Sequence, residues 1–244
     1  MMVLGVLLWL SLQAGEGHPL SEAERAALRK SFDEEIARST TVLGVESKDE
    51  DALSRRGDAR FFRGDFKGAL ADYDRMIELD PSQSAQHWRR GIVCFYLGEY
   101  AKAQAQFEAY HTHDDVDREN GIWRFLSQTK AVGLDRAREG LLKYKKDDRE
   151  PFPAVYQLFA GGTTPDKILE GIRTSAIDEE ARAGRLFYAH LYIGLDHAVG
   201  GRPEAAKASL REAVANRWAR GAGFGPAWMW QVGRLHYEIL AGAK

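Results

Sequence analysis

The densest collection of side chains able to do chemistry is His111, His113, Asp114, Asp115 and Asp117, imidazoles and carboxylates in one short stretch. Such groups hold a divalent metal when several converge on one point. Two histidines two positions apart on a helix face different ways, and the stretch falls where a turn is expected, so the spacing predicts a solvated loop. His87, His190, His197 and His236 are scattered one to a helix, and His190 and Tyr192 are candidates for buried polar groups that need partners. Cys94 has no second thiol to pair with and reads as a small core hydrophobe. No Ser or Cys sits in the context of an activated nucleophile, and no glycine-rich phosphate loop joins a strand to a helix. The residues thus point to no catalytic, cofactor-binding or metal site. An enzyme stays the minor alternative, because a triad can be assembled from distant positions.

Charge gives the next exclusion. Lys and Arg total 34 against 36 Asp and Glu, a formal charge of −2 with no long basic tract, and nucleic acid needs clustered positive charge to neutralise its backbone. Hydrophobic residues make up 44% of the chain, enough for a continuous core and against general disorder. Arg55 and Arg89, each followed by a second arginine, have two readings: contact with an acidic ligand, or pairing inside the protein with Asp58 or Asp72.

The uncharged apolar run Met1 to Leu12 is short for a membrane span and suits the apolar region of a secretory signal, with Ala14 before a cleavage point. Residues 1–15 are therefore read as a signal peptide or apolar leader. Export to a periplasm or cell envelope is expected, with no stable transmembrane domain after signal removal; a cytoplasmic or membrane-tethered chain is the alternative.

The elements that must position these residues announce themselves by spacing. Ser21 and Glu24 form a capping box before an apolar stripe of Leu28, Phe32, Ile36 and Leu43, which predicts a helical segment over 21–49. Self-similarity follows at an offset of 34 residues: Arg55-Arg56-Gly57 recurs as Arg89-Arg90-Gly91, Gly64-Asp65-Phe66 as Gly98-Glu99-Tyr100, Ala69 as Ala103, and Tyr73 as Phe107. Gly57, Gly91, Ala69 and Ala103 are small where two antiparallel helices approach, Gly64 permits a tight turn, and Pro81 ends the second helix. The same offset reaches Ala137 and Leu141, with Phe125 in the place of the first-helix glycine, so this unit should be degenerate and widened.

The register breaks at Pro151-Phe152-Pro153. A helix follows around Ala154 to Phe159, Thr164 caps a short one with Pro165 at its first position, and Gly171 and Ser175 to Glu180 read as a loop or hinge. Regularity returns with Gly194, Gly201, Ala206 and Leu210, and the run from Ala227 to Leu240 is long enough for a terminal helix that covers the exposed end of a stack. The expected architecture is all-α: an α-solenoid of helix pairs over 50–147 (50–83, 84–117 and degenerate 118–147), an irregular helical insertion over 148–184, and a returning repeat with its terminal helix over 185–244.

The period and residue types resemble the tetratricopeptide repeat (TPR), over 50–147 and 185–240. The layout is similar to that of bacterial envelope TPR lipoproteins that serve as adaptors, without their lipidated cysteine. The resemblance implies a non-catalytic scaffold whose first helices line a concave groove for a partner protein or peptide. Arg55, Asp58, Phe62, Trp88, Arg89, Tyr96 and Lys130 are the implied groove residues, and Gly57, Ala69, Tyr73, Gly91, Ala103, Phe107, Ala137, Gly194 and Ala206 the packing ones. Trp88 and Tyr96, two helical turns apart, are the expected anchors. Asp58 and Ile92 stand where family members that clamp a peptide's terminal carboxylate carry Asn, which argues against that mode. The alternative class is a self-associating assembly module, with Trp228 and Trp230 burying either in their own chain or against a second subunit.

Overall fold

The computed structural model describes residues 17–146 and 148–242; the expected leader over 1–15 lies outside the described residues. Among the described residues the chain is all helical, without strands. The helices are α1 (Glu22–Val45), α2 (Glu50–Phe62), α3 (Phe66–Leu79), α4 (Trp88–Tyr96), α5 (Tyr100–His113), α6 (Arg118–Val132), α7 (Leu134–Glu139), α8 (Phe152–Phe159), α9 (Pro165–Thr174), α10 (Glu179–Val199), α11 (Pro203–Ala215), α12 (Trp218–Gly221) and α13 (Phe224–Leu240).

α1 begins at the expected capping box, with Ser21 accepting from the Glu24 amide and Glu24 accepting from the Ser21 amide. It lays Leu28, Phe32 and Leu43 against the core. The pairs α2/α3, α4/α5 and α10/α11 are helical hairpins that pack in a solenoid-like arrangement. Gly64, Gly98 and Gly201 turn these hairpins at φ +86°, +77° and +72°, values that a side chain would strain. Within each hairpin a bare glycine faces a large side chain sixteen positions on. A Cβ on Gly57 would come 2.6 Å from the Tyr73 ring, one on Gly91 2.7 Å from Phe107, and one on Gly194 2.6 Å from Leu210. Ala69, Ala103, Ala137 and Ala206 are fully buried.

A polar strap repeats with the same period. Arg56 holds Asp72, Arg90 holds Asp74 and Gln106, and Arg124 holds Glu108 and the Gly140 carbonyl, so one arginine per unit ties neighbouring helices together. Asp72 is buried and is held by Arg60 as well as Arg56, whereas Asp74 and Glu108 are partly exposed, where such pairs add little stability.

The third unit departs from the pattern where Phe125 replaces glycine. Phe125 is 1% exposed and meets Phe159 of α8 edge-on, and the second helix shrinks to the six residues of α7. α9 starts at Thr164 and Pro165 as expected, but it runs straight through Gly171; the break is confined to 175–178, and α10 begins inside the stretch read as insertion.

The terminal helix does more than the sequence predicts. α13 packs on α11 and α12, covering the last helix pair, and its aromatic side chains also reach α2 and α4. The start of the described chain joins it there, with His18 edge-on to Tyr237 and 3.6 Å from Glu238. The two ends of the fold thus meet, and the helix pairs close on themselves.

Candidate functional site

The implied groove residues are brought together, but around a piece of their own chain. Trp228 of α13 is 3% exposed, stacks on Phe61 at 5.2 Å, tilts against Phe62 at 5.2 Å and meets Trp88 edge-on at 4.8 Å. Its indole N–H donates to Asp58 at 2.9 Å. Asp58 also accepts from the Tyr73 hydroxyl at 2.5 Å and from Arg89 at 2.8 Å, so its lone pairs are filled from inside. Further along α13, Arg234 donates to the Phe62 carbonyl at 2.8 Å, and His236 Nδ1 and the Tyr96 hydroxyl share a hydrogen bond at 2.9 Å. Burial lowers His236 to about 4, which leaves that imidazole neutral at neutral pH. Arg55 lies outside this cluster beside Glu35 of α1, and Lys130 is exposed near the end of α6. Of the two arginines with an internal reading, Arg89 makes the expected pair with Asp58, whereas Arg55 pairs with Glu35 and with neither Asp58 nor Asp72. Trp230, 2% exposed, donates to the Val214 carbonyl, so both terminal tryptophans bury in their own chain.

The histidine and aspartate stretch does not converge. His111 packs edge-on to Tyr144 and His113 to Tyr110, Asp114 accepts from the Val116 and Asp117 amides, and Asp115 pairs with Lys146. His111 and His113 lie in the last turn of α5 and not in the expected solvated loop; only Asp114 to Asp117 form the turn, which caps α6 through Asp117. Among the described residues no three metal-ligating side chains come together.

What stays open is the space beside the filled groove. A cavity of about 710 Å³ lies between α4, α5 and α6 on one side and α10, α12 and α13 on the other. Trp88, Trp123, Tyr188 and Trp218 supply its aromatic walls. Trp88 lines it from the first turn of α4 and also makes the edge-to-face contact with Trp228. Trp218 is placed by Gly184: α10 has bare backbone there, and a Cβ would come 2.8 Å from the indole. Asn216 accepts from the Trp218 amide and donates to the Ala183 carbonyl, which fixes the short α12 beside α10.

Carboxylates give the site its polarity. Five of them line the cavity, Asp117, Glu119, Glu150, Asp178 and Glu180, against the two guanidinium groups of Arg149 and Arg185. Asp117 is the N-cap of α6 and Glu119 sits in its first turn, where the helix amides favour negative charge. Arg149 comes down on them from the loop before α8, 2.6 Å from Glu119 and 3.6 Å from Asp117, with its guanidinium 4.3 Å from the centre of the Phe152 ring and 5.8 Å from that of Tyr188. The Tyr192 hydroxyl donates to the other Glu119 oxygen. Burial and the adjacent Asp117 charge push Glu119 up to about 7 in spite of Arg149, and burial also raises Asp117. Burial alone would weaken the Arg149 charge; Glu119, Asp117 and Asp148 more than offset it. With both oxygens engaged, Glu119 is poorly placed to exchange a proton with a ligand.

The indole N–H of Trp123 faces the Tyr192 hydroxyl without closing a hydrogen bond of full geometry. At the rim, Asp178 caps α10 by accepting from the Ala181 amide, whereas Glu150 and Glu180 are exposed and have no ion-pair or hydrogen-bond partner among the described residues. Sequence reasoning placed Trp88 on the inner face but missed Trp123, Arg149, Tyr188 and Trp218. The one local signal for any of these was Gly184, a small residue in a helix that has to admit an indole. No protein-family model matches the chain.

Proposed function

We propose that the chain is a TPR-like binding protein with no catalytic role of its own, which takes a segment of a partner polypeptide at the aromatic cavity beside α13. The observation that carries this reading is the division of the inner face. Where the repeat resemblance implies a ligand groove, α13 already fills the space over Phe62, and Asp58 is saturated with donors. Next to it the 710 Å³ cavity remains open, walled by indole rings of the kind that dominate protein-recognition hot spots. Trp88 belongs to both regions and so keeps the anchoring role expected of it, directed at the cavity. The apolar leader supports export as part of the same proposal, with a partner then expected in the cell envelope. Self-association through Trp228 and Trp230 loses its motive, since both are buried internally.

A photo-crosslinking residue at Ala181, which lines the cavity, tests the reading against the same residue at Ala105, on the exposed face of α5. In cells of the native host, discrete polypeptide adducts are expected from position 181 and not from 105. Equal adducts from both positions, or none from 181 in a folded variant, would overturn the proposal.

A further inference from the structure

We infer that the cavity selects a basic side chain, lysine or arginine, of the bound polypeptide; this rests on the peptide-binding reading above. Charge complementarity points to that occupant. The chain as a whole is close to neutral at −2, yet the cavity has five carboxylates for two guanidinium groups. Arg149 is spent on the inner pair, Asp117 and Glu119, which leaves Asp178, Glu150 and Glu180 around the entrance with Arg185 as the one opposing charge in the lining. An anionic or phosphorylated segment would enter against that field, whereas a cationic one is drawn into it.

The walls suit the same guest. Cations are attracted to the faces of aromatic rings within about 6 Å, most strongly to indole, and this cavity has three indoles and the Tyr188 phenol around it. The protein already holds one guanidinium in this manner, Arg149 against Phe152 and Tyr188. A second, arriving from a partner, would find an aromatic bed with unpaired carboxylates at its edge and exchange water for both. The long apolar stem of a lysine or arginine can lie along the rings while its charged head reaches the rim.

The test uses blocked octapeptides of one Gly/Ser framework carrying two Arg, two Lys, two Glu or two Gln, titrated into the full chain with intrinsic tryptophan fluorescence and calorimetry as readouts. Saturable binding of the Arg and Lys peptides is expected, at least about threefold tighter than the Gln peptide and weakening as salt rises from 50 to 300 mM on the order of a Debye-length contraction. The Glu peptide should not bind measurably. Glu150→Gln/Glu180→Gln, which changes only exposed side chains, should lose at least about threefold affinity for the Arg peptide with unchanged helicity. Equal binding of all four peptides, or preference for the Glu peptide, would overturn the charge selection while leaving a peptide site in place. Failure of every peptide together with adducts from position 181 refutes the basic-side-chain inference alone; failure of both experiments removes the site itself.

Discussion

Replacing Trp228 with alanine separates a closed molecule from an open stack. The indole is 3% exposed, lies between Phe61, Phe62 and Trp88, and donates to Asp58. Truncating a buried tryptophan costs about 3–5 kcal/mol, because the cavity left behind collapses only in part. For a chain of this length each kcal/mol moves the melting temperature by about 2–4 °C, so a fall of roughly 6–20 °C is expected by circular dichroism. Trp228→Phe keeps most of the packing and removes the N–H. Asp58 retains the Tyr73 and Arg89 donors, so that loss should be near 1 kcal/mol, the ordinary net worth of a hydrogen bond. A double-mutant cycle between Trp228→Phe and Asp58→Asn should show coupling of at least about 0.5 kcal/mol, as groups in one network do. If Trp228→Ala lowered stability by less than about 1 kcal/mol, or the cycle were additive, α13 would not be seated on α2 and α4 and the filled-groove reasoning would fail.

Gly91→Ala places a methyl 2.7 Å from the Phe107 ring and should destabilise by about 1–3 kcal/mol in a urea melt, whereas Gly44→Ala, with open space around it, should be neutral or slightly stabilising; equal effects would mean that the hairpin register is wrong. The pH dependence has two opposing arms. His87 and His236, both lowered to about 4 by burial, bind fewer protons folded than unfolded between pH 4 and 6.5, so their contribution to stability is lost as pH falls through that window. Glu119, raised from 4.5 to about 7, binds more protons folded than unfolded, so its contribution is lost as pH rises from about 4.5 to 7. Glu119→Gln should therefore gain on the wild type between pH 5 and 8, by at most about 3 kcal/mol, and parallel stability profiles would remove the assignment. If the apolar start of the chain is a signal, protein recovered from its host should begin after about Ala14 in amino-terminal sequencing, and an intact Met1 or Met2 would refute export.

Much of the fold was legible because it rests on short-range contacts repeated at one period. Gly57 and Gly91, sixteen residues before Tyr73 and Phe107, encode the close approach of two helices within a single hairpin, and spacing alone reports such a pair. The degenerate unit was visible too, since Phe125 occupies a position where a ring excludes the usual partner helix. The candidate site was mostly hidden. Its walls come from residues as distant in sequence as Trp88, Tyr188 and Trp218, and no periodicity links them. The same long-range closure misled the reading of the groove: positions that face inward in an open stack are available to a ligand, but here the last helix returns to α2, and aromatic content cannot distinguish the two cases. Arg56 and Arg90 show a subtler limit. Each belongs to a pair, and which member turns inward to the strap depends on helix phase that the doublets Arg55-Arg56 and Arg89-Arg90 leave ambiguous.

The return of α13 onto the first repeat changes how such a molecule should come apart. An open array of helix pairs is coupled only to nearest neighbours, so its outer units fray at little cost and unfolding spreads inward. Here the first pair is clamped on one flank by α1, through contacts such as Phe32 against Phe62, and across its inner face by α13. Its amides should exchange with solvent as slowly as those of α4, and the ring of contacts must be opened once, cooperatively, before any unit is released. Rigidity of that kind keeps the cavity walls, drawn from both halves of the chain, at a fixed separation.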